Sequence, residues 1–421
     1  MRKLALGLCL LAMSATWLSC YGSKNYQNPS KVQFRAVISN SLHPVTSGVH
    51  VPALEIMDAT LDKLSFSPIG LSGLGSQTLG RLDVSSNKLL TLAYSPSGHM
   101  FALVDNTNEQ ASSSTVTLPD ATESFFLANN TSHAYAAVPN ATVSSGPPGA
   151  VIQVSVSSGT ISATIPVPNV RFVQEVSRGD KILAFSPDSG VVTVIDPGKI
   201  GASSDPRIAQ LGGFQHPVGA GLAADPSMPV ILDCGAECGG SGAAAVVPLD
   251  LSTNTLGTPI PVPAATVAVG VGNTLYVAGT NPATVCSSGT AATSCGTLTV
   301  VDLTGAKAPV SAEIPDGYHD KIAITNDGQV AIGSHGCTEI TTATETRGCL
   351  ALFNPATNKA VVLPSNGDVT GIAPIPGRNV LYAIQGGTFL VYDTTTDKLL
   401  PNHQTTIVGE LVDVKVIDNA P

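Results

Sequence analysis

Six cysteines stand in three close pairs: Cys234 and Cys238, Cys286 and Cys295, Cys337 and Cys349. Thiols at such spacings can close disulfides, hold a metal or cycle as a redox couple. Zinc asks for four ligands at matched spacing, and only His216 and His335 offer themselves beside Cys234 and Cys238, in no known finger pattern. A redox pair usually carries two residues between its cysteines, whereas Cys234 and Cys238 carry three. An even count in a chain with an export-type start points instead to three neighbour disulfides. Each closes only ~5 to ~13 residues, so the gain sits at or below the low end of ~2–4 kcal/mol. Their expected task is to stiffen protruding loops.

A second set could do acid–base or ligand chemistry. It comprises His216 in FQHPVG, Asp316, His319 and Asp320 in PDGYHDK, and Asp368 in SNGDV, with Arg171 and Glu175 in a neighbouring strand. Such groups can converge on a cation or a sugar. Each also has a plainer role: a turn Asp caps its own turn, and a loop His is commonly solvated. The chain has no G-x-S-x-G, H-E-x-x-H or P-loop, and no G-x-G-x-x-G between a strand and a helix. No catalytic residue, metal ligand or cofactor is therefore assigned. Asn140-Ala141-Thr142 fits a glycosylation acceptor, which a bacterial-type leader makes an accident of composition.

The elements that position these residues come from a repeat. LTVVDLTGAKAPVSAEIP at Leu298 is a short apolar strand, an Asp-led turn and a strand running back. The same cadence returns with Asp58, Asp105, Val156, Asp196, Asp250, Asp302, Asn354 or Asp393 at the turn, at intervals of roughly 40–50 residues, the length of a four-stranded propeller blade. The Asp or Asn can bond backbone N–H groups two residues on and so close the turn itself. The runs before it are apolar on both faces, which suits strands sandwiched between neighbouring sheets. Runs such as HDKIAITNDG and QVAIGSHG supply the two strands before each of these.

Labelled a to d along each blade, the turn residue ends strand c, and eight turns predict eight antiparallel blades. Seven is the alternative, because SPSG at Ser95 precedes a c strand where comparable turns separate a from b. VQFRAVIS at Val32 is expected as strand b of the first blade and ELVDVKVI at Glu410 as its strand a, closing the ring and removing a free edge. The fourth repeat lacks a d pattern after Pro197, and Pro248 inside a c strand predicts a bulge or a frayed blade. Each cysteine pair falls between strands b and c. Those loops share one end of the ring with the d–a connections, so all three cystines are expected on one mouth, together with the polar set above.

The pattern resembles the YVTN-type β-propeller repeat, with its V-x-V-I-D-T-x-T-N-x-V-x-x-T-I-P cadence, over most of residues 31–417. The resemblance implies an all-β propeller. It also implies kinship with exported and surface-layer proteins and, more widely, with lactonase-like enzymes.

At the N-terminus, Arg2 and Lys3 precede an apolar stretch too short to span a bilayer. It ends in Trp17-Leu18-Ser19-Cys20, which is similar to a bacterial lipobox, although Trp stands where Leu is usual. Residues 1–19 are thus expected as a signal peptide, Cys20 as a lipidated first residue, 20–30 as a polar tether and 31–421 as one propeller domain. Charged residues make up 12% of the chain and the net charge is −10 with no basic run, which argues against nucleic-acid binding. The expected protein is a monomeric, non-catalytic binding scaffold, exported to the periplasm or to the outer membrane or cell surface and held at the membrane only by its lipid. Its partner would be an envelope protein or polysaccharide. The alternatives are a lactonase-like hydrolase working in the central channel and a structural surface-layer component.

Overall fold

A computed structural model describes residues 28–419, apart from 47, 66, 145, 177–178, 223–224, 282–295 and 404. Eight antiparallel sheets, each of four strand positions, form a ring. Blade 1 contains strand a Leu411–Val416, b Arg35–Thr46 and c Val49–Asp58, with its d position split into Lys63–Leu64 and Ile69–Gly70. Six of the eight expected turn residues end a c strand, and Asp196 follows one directly. The turns close as their chemistry dictates. The Asp105 carboxylate accepts from the Thr107 and Asn108 backbone N–H groups at 2.8 and 3.2 Å, and Asn354 accepts from Ala356 and Thr357 at 2.9 and 3.3 Å. In blade 3 the equivalent residue is Ser155, not Val156. Ser155 ends the strand and pairs with Thr160 as Asp105 pairs with Gln110.

Two irregular repeats resolve. Blade 4 does carry a d strand, Arg207–Gly212, reached through a turn opened by Asp196 and Pro197. Pro248 lies in strand c Ala245–Asp250 and has no N–H to offer a ladder, so the d strand opposite breaks into Thr255–Leu256 and Ile260–Pro261. SPSG is the tight b–c turn of blade 2, between Leu90–Ser95 and Met100–Asp105, and the count of eight stands.

Both faces of each blade are apolar because both are covered. In blade 3, Ala134, Ala136, Ile152 and Val154 pack toward blade 2, while the intervening Tyr135, Ala137 and Val151 pack toward blade 4. The core is therefore a ring of interblade seams rather than one centre. Ring closure is by β pairing of Ala36 with Val416 and Ile38 with Val414. Arg35 locks it. Its backbone N–H donates to Asp418 at 2.8 Å, and its guanidinium donates to Asp418 at 2.7 Å and to Glu109 of blade 2 at 2.8 Å.

Candidate functional site

The innermost a strands surround a channel holding a cavity of about 870 Å³, lined from blades 2 to 7. Side chains stitch these strands together. Asp413 of blade 1 accepts from the Leu82 N–H of blade 2 at 2.9 Å, and Asp83 of blade 2 accepts from the Leu127 N–H of blade 3 at 2.6 Å. Ser124 accepts from the Val173 N–H of blade 4 at 3.1 Å. The Gln174 amide then exchanges two bonds with the Ala220 backbone of blade 5, at 2.8 and 2.9 Å. A strand needs side chains of this kind here because its inner edge has no further strand to pair with. Burial pushes the Asp83 and Glu175 carboxyls above their ordinary values, although each accepts backbone N–H bonds.

One residue before strand a, or at its start, each of several blades sets a polar group on the rim. These are Arg81, Glu123, Arg171, His216 and Tyr318, of blades 2, 3, 4, 5 and 7. The Arg171 guanidinium donates to both oxygens of Glu123 at 3.0 and 2.8 Å. The Arg81 guanidinium makes one long bond, 3.3 Å, to the Glu123 carbonyl. Burial lowers the His216 imidazole, with nearby Arg171 adding to the effect, and it favours the neutral form. Burial, reinforced by Asp320 and Glu237, pushes the Tyr318 hydroxyl up to about 12, so it stays a donor at neutral pH. Glu237 sits inside the Cys234–Cys238 loop. Its oxygens lie near the Thr280 N–H without closing a good hydrogen bond, they have no other partner among the described residues, and burial pushes the group up to about 7.

The residues singled out from sequence are distributed unevenly. Asp316 accepts from the Thr338 N–H and hydroxyl at 2.6 and 2.7 Å, and Asp368 accepts from the Gly336 N–H at 2.8 Å. Asp320 accepts from Lys321 and stands 3.6 Å from His335. Burial alone would raise its carboxyl, yet His335 and Lys321 hold it below the ordinary value. These three carboxylates thus converge on loop 335–338 of blade 7 and brace it. His319 is buried, with Nε2 3.0 Å from the Pro315 carbonyl, and burial pushes it down to about 4. It packs against Gly296 of blade 6. His216 lies elsewhere on the rim, its backbone N–H donating to Asp233 at 2.7 Å.

Cys234–Cys238 and Cys337–Cys349 are disulfides, with Cα atoms 5.8 and 5.4 Å apart. Both link the b–c regions of their blades, although Cys349 lies inside strand c Thr346–Asn354. Cys286 and Cys295 lie outside the described residues, as do the expected leader 1–19, Cys20 and the tether to residue 27. Among the described residues no group of three or more His, Cys, Asp or Glu side chains is placed to hold a metal ion. No described helix is long and apolar enough to cross a membrane. Sequence reading missed Arg81, Glu123, Tyr318 and Glu237. The first three carry a signal, since each stands where a d–a connection delivers the chain to strand a; Glu237 carries none.

No known protein family matches the sequence, and no curated protein does. Solved structures do match. The chain is similar to dihydro-heme d1 dehydrogenase NirN in complex with DHE, with a TM-score of 0.63 and 13% identity, over 95% of this chain and 78% of that one. It is also similar to a functionally unknown protein from Desulfotomaculum acetoxidans, with a TM-score of 0.51 and 13% identity, over 78% and 94% of the two chains. Likeness at this identity speaks of the fold: the chain is an eight-bladed β-propeller, and its solved neighbours include an enzyme and a protein without known function.

Proposed function

We propose that this chain is an exported, lipid-anchored propeller of the YVTN type. It acts as a non-catalytic scaffold whose cystine-bearing mouth binds an envelope protein or polysaccharide. One observation carries the reading: Asp316 and Asp368 accept from Thr338 and Gly336 and hold the Cys337 loop in place, with Asp320 3.6 Å from His335 beside it. Groups of that type could have served acid–base chemistry, and here they order a protruding loop. Disulfides belong to an oxidising compartment, which agrees with export.

The N-terminus supports an orientation. Ser30 donates its backbone N–H to Glu109 at 2.6 Å, and Glu109 lies in the c–d turn of blade 2. The c–d turns open on the mouth opposite the cystines. A lipid on Cys20 would therefore tether the protein by that opposite mouth, within roughly 35 Å of the bilayer at full extension. The cystine mouth would face away from the membrane, toward its partner.

The alternative, a lactonase-like hydrolase, would draw on Glu237, whose raised pKa suits proton transfer near neutrality. Its buried oxygens do not line the channel cavity, so the scaffold reading is preferred. The test places a photo-crosslinking residue at Thr344, in the cystine mouth, or at Thr107, in the opposite one, in intact cells. Thr344 is expected to capture an envelope component that Thr107 does not. No capture at Thr344, together with hydrolysis of a lactone panel by the purified chain, would overturn the scaffold reading.

A further inference from the structure

We infer that the channel opening at the cystine mouth is a saccharide site, selective for a short sugar bearing a single carboxylate, such as a neutral disaccharide capped by one uronic acid. The inference rests on the binding-scaffold reading and names the ligand class of the same mouth. It starts from what the cavity wall leaves uncommitted. The Arg81 guanidinium is exposed and has one long bond to a carbonyl. The Tyr318 hydroxyl and the His216 ring have no hydrogen-bond partner given by the described structure, although both line the cavity. One cation and two neutral polar groups thus look into the same opening from blades 2, 7 and 5. Arg171 is not available in this way, because Glu123 holds it in a two-bond fork.

The rest of the wall sets a limit on ligand charge. Asp83, Glu123, Glu175 and Asp320 line the same cavity. Arg171 balances Glu123 and Lys321 balances Asp320, so a polyanion such as polyphosphate would meet Asp83 and Glu175 with only Arg81 uncommitted, and Arg81 can balance one negative charge at most. Carboxylates at a rim accept sugar hydroxyls well, and Phe125, Phe126 and Phe172 add apolar wall from the interblade seams in which they pack, Phe125 against Tyr94 and Phe101 and Phe126 stacked on Tyr135. The volume argues for more than a metabolite of amino-acid size. About 870 Å³ lies toward the upper end of ordinary ligand pockets, and a second hollow of about 290 Å³ adjoins it across the Glu123–Arg171 pair, between the loops of blades 3 and 4. A chain of two or three sugar units could enter the channel and lean across that ridge.

The test is calorimetric titration of the purified chain with glucuronosyl-xylobiose, a trisaccharide carrying one carboxylate, with xylotriose as the neutral counterpart. Glucuronosyl-xylobiose is expected to bind. Arg81→Ala should weaken it by about tenfold to a hundredfold, as for loss of a hydrogen bond to a charged group. Tyr318→Phe, which removes one hydroxyl and leaves the packing, should weaken it by a smaller factor, roughly tenfold or less. Xylotriose should bind at least about tenfold more weakly than glucuronosyl-xylobiose to the wild type, and equally to wild type and Arg81→Ala. Absence of glucuronosyl-xylobiose binding to the folded wild type at low millimolar concentration would overturn the inference, as would equal affinity of the two sugars or an unchanged Arg81→Ala. Capture of an envelope protein at Thr344 without saccharide binding sinks this inference and leaves the scaffold standing. Lactone hydrolysis without capture sinks the scaffold instead.

Discussion

Replacing Arg35 by Met should open the ring at its seam, and the size of the effect follows from what the guanidinium leaves behind. The Arg35 side chain is 7% exposed and that of Glu109 only 2%, at 2.8 Å. Asp418, its other partner, is 21% exposed. Met keeps the length of the apolar stem and removes every donor. Asp418 can turn to water, whereas Glu109 becomes a buried carboxylate held only by Ser30. Removing one partner of a buried pair costs roughly 3–5 kcal/mol, and the surviving Ser30 bonds put this case near 3. Arg35→Lys keeps the charge and loses the fork, so an intermediate loss of about 1–2 kcal/mol is expected. Arg207→Met is the control. Its partner Asp205 is 50% exposed, and a pair of that kind contributes about 1 kcal/mol or less. The assay is urea unfolding followed by far-ultraviolet circular dichroism, since the single tryptophan, Trp17, lies in the expected leader. Combining Arg35→Met with deletion of 411–421 should add little to the deletion alone, because both break the same seam. An Arg35→Met midpoint matching that of Arg207→Met would refute the clamp.

Other perturbations have signs that can be worked out. Glu237 rises to about 7 when folded, so its stabilising protonated form is fully present below the unfolded value near 4.5 and is lost as pH climbs from there to about 7. That descent should amount to about 2–3 kcal/mol after allowing for partial exposure, and Glu237→Gln should flatten it in unfolding curves taken across pH 4–8. Asp62 runs the other way. Burial alone would raise it, but Arg378 at 2.6 and 2.8 Å, Tyr382 and His403 hold it below the ordinary value. Its contribution is therefore present above the unfolded pKa and lost as pH falls through the folded one. Asp62→Asn should cost roughly 3 kcal/mol at neutral pH and shift acid unfolding upward less than it lowers neutral stability. Replacing both Cys337 and Cys349 by Ser should lower stability by about 2 kcal/mol or less and speed proteolysis within loop 337–349, read by limited digestion.

The architecture was legible because its signals are local. An Asp closes its own turn within three residues, as Asp393 does with the Thr395 and Thr396 N–H groups, so the turn could be found without knowing any neighbour. Where a hydroxyl replaced the carboxylate, at Ser155, the apolar Val156 beside it drew the assignment one residue too far. The b–c turn of blade 8, Gly386-Gly387, is short because both residues adopt positive φ, 54° and 73°, which glycine allows freely. The site was less legible because its contacts are remote in sequence. Asp83 meets Leu127, and Asp62 meets Arg378 on the far side of the ring seam. No spacing rule joins such residues until the blades are stacked. Asp316, Asp320 and Asp368 did gather, but as braces around one loop, whereas Glu175 lines the channel.

The two mouths of the ring are held by different means, and that difference bears on which one recognises a partner. On the c–d side most hairpins are short and closed by an Asp or Asn of their own, so most blades repeat nearly the same surface. On the other side the b–c connections range from the two glycines of blade 8 to the cystine loops of blades 5 and 7, and they cannot close by a shared local device. They are fixed by covalent bridges and by carboxylates reaching from the next connection, as Asp316 reaches Thr338 and Asp368 reaches Gly336. Sequence can therefore vary there without disturbing the blades, since a loop carried by its own bridge places few demands on the sheet beneath it. A surface that is ordered, individual at each blade and independent of the core is what selective binding requires. The repetitive mouth, nearly alike from blade to blade, offers less by which one partner could be told from another.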